Sequence, residues 1–183
     1  MRIKIAVLGS TGSIGRTTVN IIKRNKIDFN VVLLTTNNNV PKIYKQALDL
    51  KVKNVIINNK EKFLKFKNKF KKKKIKVFHN HSDIKKIIYK KIDYTMCSIS
   101  GLSGLKPTFE AIELSRTVGI ANKESIICAW NLLDKALKKN NTKFIPIDSE
   151  HFSIWSLLNF DKNNSIEEII LTASGGPFLK KSI

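Results

Sequence analysis

The fold class predicted for this 183-residue sequence is α/β: an open, doubly wound, mostly parallel sheet with the start of a second α/β unit behind it. Three observations predict it. Short apolar runs alternate with amphipathic helical stretches along the chain, the pattern of repeated βα units. The strand runs are continuously apolar, as in strands covered on both faces of a parallel sheet. The first run, Ile3–Leu8, passes into Gly9-Ser10-Thr11-Gly12-Ser13-Ile14-Gly15 and then directly into a helical pattern.

Each element follows from local pattern. Gly15–Asn25 reads as a helix with Val19, Ile21 and Ile22 on its inner side, and Asn30–Thr35 as the second strand. Pro41 suits the start of the next helix, which carries Ile43, Tyr44, Ala47 and Leu48 at helical spacing. Asn54–Asn58 is a third strand. The lysine-rich block Lys60–Lys76 places Phe63, Phe66 and Phe70 on one face, which predicts a helix covering the sheet with its lysines in solvent. Ile75–Phe78 is a short strand, Ser82 or Asp83 caps a helix through Lys90, and Tyr94–Ile99 is a further strand. Past Ser100-Gly101-Leu102-Ser103-Gly104 comes a helix to about Ser115, then strand Thr117–Ala121. Asn122-Lys123-Glu124-Ser125 leads into a long amphipathic helix ending near Asn141. Strand Lys143–Asp148, a helix holding Ile154, Trp155, Leu157 and Leu158, strand Ile166–Ala173 and the turn Ser174-Gly175-Gly176-Pro177 complete the series. The expected division is 1–147 for a dinucleotide-binding domain and 148–183 for the beginning of a catalytic one.

Composition narrows the function classes. The formal net charge is +20, which invites a nucleic-acid or membrane reading. Almost all of the positive charge is lysine, with Arg2, Arg16, Arg24 and Arg116 the only arginines, whereas readers of phosphates and bases favour arginine. The abundance of lysine, asparagine and isoleucine fits AT-rich coding, so the charge reads as a drifted surface; a lysine-rich nucleic-acid binder using Lys60–Lys76 is the non-enzyme alternative. No run of ~18 apolar residues and no signal-peptide pattern occurs, which predicts a cytoplasmic protein without a membrane partner. Cys97 and Cys128 show no pairing pattern, as expected in a reducing compartment. His79 and His81 lack a ligand constellation and read as a surface pair.

Ligands of such a sheet bind beyond the carboxyl ends of its strands, and five polar clusters fall there. In the glycine turn, Gly9 would make the sharp turn, Gly12 would clear room for phosphates and Gly15 would let the helix pack closely, with a pyrophosphate at the helix N-terminus. Thr35-Thr36-Asn37-Asn38-Asn39 follows the second strand, where NAD-binding proteins place a carboxylate. It holds no acid, which favours NADP, and no lysine or arginine either. Asn122-Lys123-Glu124 reads equally as a grip on a substrate oxygen or phosphate and as a helix start. Asp148 and Glu150 stand two apart; on extended backbone their side chains point the same way with a rise of ~6.6 Å, close enough to share one hard cation. Ser149 would then meet substrate and His151 would support, while an N-cap is the alternative. Ser174-Gly175-Gly176-Pro177 offers amides and a hydroxyl to an anion.

Taken in order, the strings LGSTGSIG, ANKES, PIDSEH and LTASGGPF resemble those of 1-deoxy-D-xylulose-5-phosphate reductoisomerases. The resemblance implies a Rossmann-like cofactor domain and NADPH-dependent conversion of 1-deoxy-D-xylulose 5-phosphate to 2-C-methyl-D-erythritol 4-phosphate in non-mevalonate isoprenoid synthesis. It implies Mg²⁺ or Mn²⁺ as cofactor and a homodimer for the full-length enzyme. Thr11, Gly12, Ser13 and Ile14 would bind the cofactor, with Asn37, Asn38 and Asn39 near its adenosine end and Asn122 and Glu124 along it. Lys123, Ser149 and Ser174 would touch substrate, and Asp148 and Glu150 would hold the metal, with Lys123, Asp148 and Glu150 the catalytic set. Two departures stand out. Asn37-Asn38-Asn39 replaces a glycine and a lysine before asparagine in many relatives. The chain is also about half the family's usual length, without the part carrying a third metal carboxylate, so this polypeptide alone is expected to be inactive. Another Rossmann-type NAD(P) dehydrogenase is the alternative enzyme.

Overall fold

The computed structural model describes residues 2–160 and 166–170. Seven strands form one sheet: β1 (Ile3–Leu8), β2 (Phe29–Thr36), β3 (Asn54–Ile57), β4 (Lys76–Phe78), β5 (Ile92–Cys97), β6 (Ser115–Ile120) and β7 (Lys143–Pro146). The helices are α1 (Ser13–Arg24), α2 (Val40–Asp49), α3 (Lys60–Lys71), α4 (Ile84–Ile87), α5 (Leu105–Leu114), α6 (Lys123–Asn140) and α7 (Ser149–Phe160). The strand order is β4-β3-β2-β1-β5-β6-β7, and every pairing is parallel. The chain winds outward from β1 in one direction through β4 and in the other from β5 through β7. The order therefore reverses between β1 and β5, and that switch point is where an open α/β sheet leaves a crevice.

The continuous apolar runs are explained by burial on both faces. In β1, Ile5 and Val7 enter a core formed with Val19, Ile22, Ile43, Ala47 and Phe70 from α1, α2 and α3. Ala6 and Leu8 point the opposite way, into a core with Ile84, Ile112, Leu133 and Leu137 from α4, α5 and α6. Successive side chains of a strand alternate between faces, so a strand with two cores needs an apolar residue at every position. The lysine-rich helix α3 behaves as its spacing predicts: Phe70 is fully buried, and Phe63 and Phe66 pack against the first core.

Asparagines start three of the helices. Asn39 Oδ1 accepts from Lys42 N–H, Asn59 Oδ1 from Lys62 N–H and Asn122 Oδ1 from Ser125 N–H, each satisfying an orphan amide of a first turn. Other expectations are corrected. Ile21 is 52% exposed, because it falls off the Thr18, Val19 and Ile22 stripe of α1, and Leu48 likewise faces outward on α2. The helix expected through Lys90 closes at Ile87, and its lead-in turn is capped by Asn80, which accepts from Ser82 N–H. The expected strand Ile166–Ala173 is not seen where it can be judged: residues 166–170 carry no regular structure, and Ile166, Ile169 and Ile170 are exposed. Its remainder lies outside the described residues.

Candidate functional site at the switch point

The glycine turn is built by two close backbone approaches. Gly9 has φ +79°, and a Cβ on it would lie 2.7 Å from the Ser98 carbonyl oxygen at the end of β5. A Cβ on Gly15 would lie 2.2 Å from the Gly9 carbonyl oxygen and 2.7 Å from Ser10 Cα, so the first turn of α1 sits directly on the turn that precedes it. Gly12 differs. Its nearest contact for a Cβ is 3.4 Å away, and the protein itself leaves room there. Gly12 is extended and caps α1 without a side chain, so the first amides of the helix have no capping side chain among the described residues, the state suited to a phosphate.

A buried polar network holds this turn. Ser10 N–H donates to Thr35 O (2.9 Å), Gly9 N–H to Thr35 Oγ1 (2.9 Å), and the Thr11 and Thr36 hydroxyls share a hydrogen bond of 2.7 Å. Gln46 on α2 closes the network from below, donating from Nε2 to Ser10 O and accepting from Ser10 Oγ, both at 2.8 Å. Sequence reasoning missed Gln46. At 4% exposure it is a polar residue inside an otherwise apolar helical stripe, which is the signal that marks it.

On the β5 side of the turn lies a cleft of about 450 Å³ lined by Ser13, Ile14, Ser98, Ile99, Ser100, Ala121, Asn122, Lys123, Glu124, Ile147, Asp148, Ser149 and Glu150. It brings together the helix end of the glycine turn with the Asn122–Glu124 and Asp148–Glu150 clusters. Ser98, Ile99 and Ser100 were not singled out from sequence. Their position, at the carboxyl end of the strand next to β1, becomes evident only once the strand order is known.

Asn122 is 2% exposed, and its side chain is fully engaged within the protein. Its Nδ2 donates to Ile99 O (2.6 Å) and Gly101 O (2.7 Å), while Oδ1 caps α6. The residue therefore shapes the cleft wall by tying the β5–α5 loop to α6. Lys123 and Glu124, in the first turn of α6, stand at the cleft with exposed side chains.

The two carboxylates are not on extended backbone. Helix α7 begins at Ser149, and Asp148 precedes it as an N-cap whose Oδ1 accepts from His151 N–H at 3.0 Å. The expected strand geometry gives way because β7 ends at Pro146. The cap and the ligand readings nevertheless coexist, since Asp148 has two oxygens. His151 Nδ1 lies 2.5 Å from Oδ1, while Oδ2 is buried with no hydrogen-bond partner among the described residues. Burial pushes the Asp148 carboxyl up, but the backbone N–H and imidazole of His151 outweigh it and hold the pKa below its ordinary value. Glu150 is also held low, by its own backbone N–H, by the Ser149 hydroxyl (2.9 Å) and by the Lys123 ammonium. Both are thus charged near neutral pH. Among the described residues no group of three or more His, Cys, Asp or Glu side chains is arranged to hold a metal ion. Ser174, with its turn, lies outside the described residues.

Asn37, Asn38 and Asn39 are exposed and lie beyond the opposite flank of the glycine turn, at the end of β2. Here the sequence showed no cation, but tertiary structure supplies one. Lys62 of α3 donates from Nζ to the Asn38 carbonyl at 3.0 Å.

Comparisons with known proteins agree with this fold. The family model for 1-deoxy-D-xylulose 5-phosphate reductoisomerase matches residues 5–130, and that for the C-terminal domain of the same enzyme matches residues 144–183. The reductoisomerase of Pelagibacter ubique is 52% identical over 182 residues, 98% of this chain and 47% of that protein. That of Phocaeicola vulgatus is 37% identical over 97% of this chain and 46% of its own. The chain thus spans about half the length of the curated relatives it matches. Among solved structures, the Zymomonas mobilis reductoisomerase in complex with NADPH superposes with a TM-score of 0.91 at 33% identity, over 100% of this chain and 48% of that one. A reductoisomerase with fosmidomycin and magnesium gives 0.87 at 28% identity, over 99% and 48%. With a family match across most of its length and a glycine turn, lysine and carboxylate pair meeting in one cleft, the chain belongs to the 1-deoxy-D-xylulose 5-phosphate reductoisomerase family.

Proposed function

We propose that this chain carries the NADPH-binding domain and the first metal carboxylates of an enzyme that converts 1-deoxy-D-xylulose 5-phosphate to 2-C-methyl-D-erythritol 4-phosphate. The observation that carries the reading is Asp148 Oδ2, a buried carboxylate oxygen without a partner among the described residues, on a residue lining the cleft that also holds Ser13, Ile14, Lys123 and Glu150. A buried, charged oxygen left unpaired is costly unless a ligand completes it. Asp148 and Glu150 both line the cleft and offer carboxylate oxygens, the ligand type of a hard cation. Solved reductoisomerases in complex with NADPH, and with NADPH, fosmidomycin and magnesium, support the same assignment.

Residues 1–147 are assigned to the cofactor domain and 148–183 to the beginning of the catalytic domain. The amides after Gly12, with Thr11, Ser13 and Ile14, receive the pyrophosphate; Asn37, Asn38 and Asn39 border the adenosine end, and Asn122 and Glu124 flank the cofactor from α6. Asp148 and Glu150 hold Mg²⁺ or Mn²⁺, with Lys123, Ser149 and Ser174 toward the sugar phosphate. When bound, the cation supplies Lewis acidity to substrate oxygens and the dinucleotide supplies hydride. His151 keeps one Asp148 oxygen occupied and leaves the other without a partner among the described residues. Glu150 is held ionised by its own backbone N–H and the Ser149 hydroxyl, with a smaller contribution from Lys123, and Lys123 brings a positive charge to the side where an anionic substrate enters. A soluble cytoplasmic enzyme that is dimeric at full length completes the reading; no helix among the described residues is long and apolar enough to cross a membrane.

The test is Mn²⁺ binding followed by electron paramagnetic resonance, with and without Asp148→Asn. The 183-residue polypeptide is expected to bind Mn²⁺ and NADPH weakly and to show no NADPH oxidation with 1-deoxy-D-xylulose 5-phosphate. Asp148→Asn should weaken Mn²⁺ about tenfold or more, the scale of one lost charged ligand. Unchanged Mn²⁺ affinity in the variant would favour a metal-independent dehydrogenase.

A further inference from the structure

Cofactor proteins of this architecture choose between NADH and NADPH at the end of the second strand, where an acid takes the free ribose hydroxyl and a cation takes its phosphate. At the end of β2, residues 35–39 contain neither. The neighbouring β3–α3 connection is hydrogen-bonded onto this segment: Asn58 N–H donates to Thr36 O (2.9 Å) and Asn59 N–H to Asn37 O (3.3 Å). This contact delivers the first turn of α3 to the end of β2. There Asn59 caps Lys62 N–H at 2.9 Å, fixing the backbone of Lys62, and Lys62 Nζ donates to Asn38 O at 3.0 Å. An ammonium has three donors, so the other two are available for an anion lying over Asn38. Among the described residues Lys62 has no carboxylate partner. Glu61 precedes it but projects about 100° around the helix. The backbone N–H of Lys42 donates to Asn39 Oδ1, and Lys42 lines a basic groove between α1 and α2 with Arg16, Lys23 and Lys45.

We propose that Lys62 is the specificity-determining residue for the 2′-phosphate of NADPH, standing in through tertiary structure for a cation that the β2 loop does not encode. The proposal rests on the cofactor reading above. In this chain, NADPH affinity therefore depends on the register between the β2 and β3 loops and on the cap at Asn59.

The experiment is titration of the 183-residue chain with NADPH and with NADH, read by nucleotide fluorescence, for the parent and for Lys62→Met, Lys62→Arg, Lys42→Met and the charge control Lys65→Met. Lys62→Met should raise the NADPH dissociation constant about tenfold, as expected for one charge-assisted contact, and leave that for NADH within about twofold. Lys62→Arg should retain NADPH preference, and Lys65→Met should resemble the parent. Equal weakening of both nucleotides by Lys62→Met, or no weakening of either, overturns the proposal. So does transfer of the NADPH-selective loss to Lys42→Met, which would place the phosphate in the groove between α1 and α2. A parent that binds neither nucleotide would refute the cofactor reading itself, and the proposal with it.

Discussion

At the scale of single residues, the glycine turn separates two requirements that a motif string merges. Gly15 is demanded by the protein, because its missing side chain is the space occupied by the Gly9 carbonyl. Gly12 is not demanded in that way, since a methyl group there meets its nearest neighbour at 3.4 Å. Gly15→Ala should therefore destabilise the fold by about 3 kcal/mol, the upper range for overpacking against backbone that cannot move. Gly12→Ala should leave stability within about 0.5 kcal/mol yet abolish NADPH binding. Urea denaturation of both variants beside NADPH titration checks the pair; a strongly destabilised Gly12→Ala would make its role structural.

At the scale of elements, two helix contacts control how the site is held. Asn122 starts α6 and also satisfies two carbonyls of the β5–α5 loop. Asn122→Ala leaves those carbonyls and a first-turn amide without partners in a buried place, for an expected loss of about 2–3 kcal/mol, measurable from the shift in urea midpoint. Helices α1 and α2, which flank the glycine turn and its Gln46 support, are joined by Lys23 and Asp49. The hydrogen bond from Lys23 lowers the Asp49 pKa from 3.8, against a smaller opposing effect of burial. A carboxyl with a depressed folded-state pKa contributes stability that is fully present above its unfolded value and is lost as pH falls through the lower folded one. The contribution thus fades below about pH 4. Asp49→Asn should flatten the stability profile in that acid window and leave its shape between about pH 6 and 8 unchanged. The contact is partly exposed, so the slope should be modest and reduced by salt.

At the scale of the whole molecule, one sheet with a core on each face gives two thiols opposite chemistry. Cys97 lies in the second core at the end of β5, and burial pushes its pKa up to about 12. Cys128 is exposed on α6. A disulfide reagent at pH 8 should label Cys128 within seconds to minutes and Cys97 only as fast as the molecule opens, so the slow phase reports the unfolding rate. Two fast phases would contradict the packing of β5 between the cores. The same packing gives the lysine-rich helix α3 a structural task, because its Phe70 is sealed in the first core while its lysines remain outside.

Much of this architecture was legible from near neighbours in the sequence. The strand runs, the helix spacing and the glycine turn depend on residues within a few positions of one another, and so do the Asn122–Glu124 and Asp148–Glu150 clusters. Local periodicity and turn chemistry express such information directly. The geometry of Asp148 was legible only in part, because extended backbone and a helix cap leave the same pattern of residue types. Strand order, and with it the cleft beside Ser98–Ser100, depended on how the chain winds outward from β1. Gln46 meets Ser10 across 36 positions, and Lys62 meets Asn38 across 24. By itself, then, the sequence determined most of the elements, the glycine turn and the family motifs. Tertiary structure alone decided what supports that turn and which lysine reaches the end of β2. Those contacts join segments whose proximity is set by the packed sheet and by nothing in their own sequence.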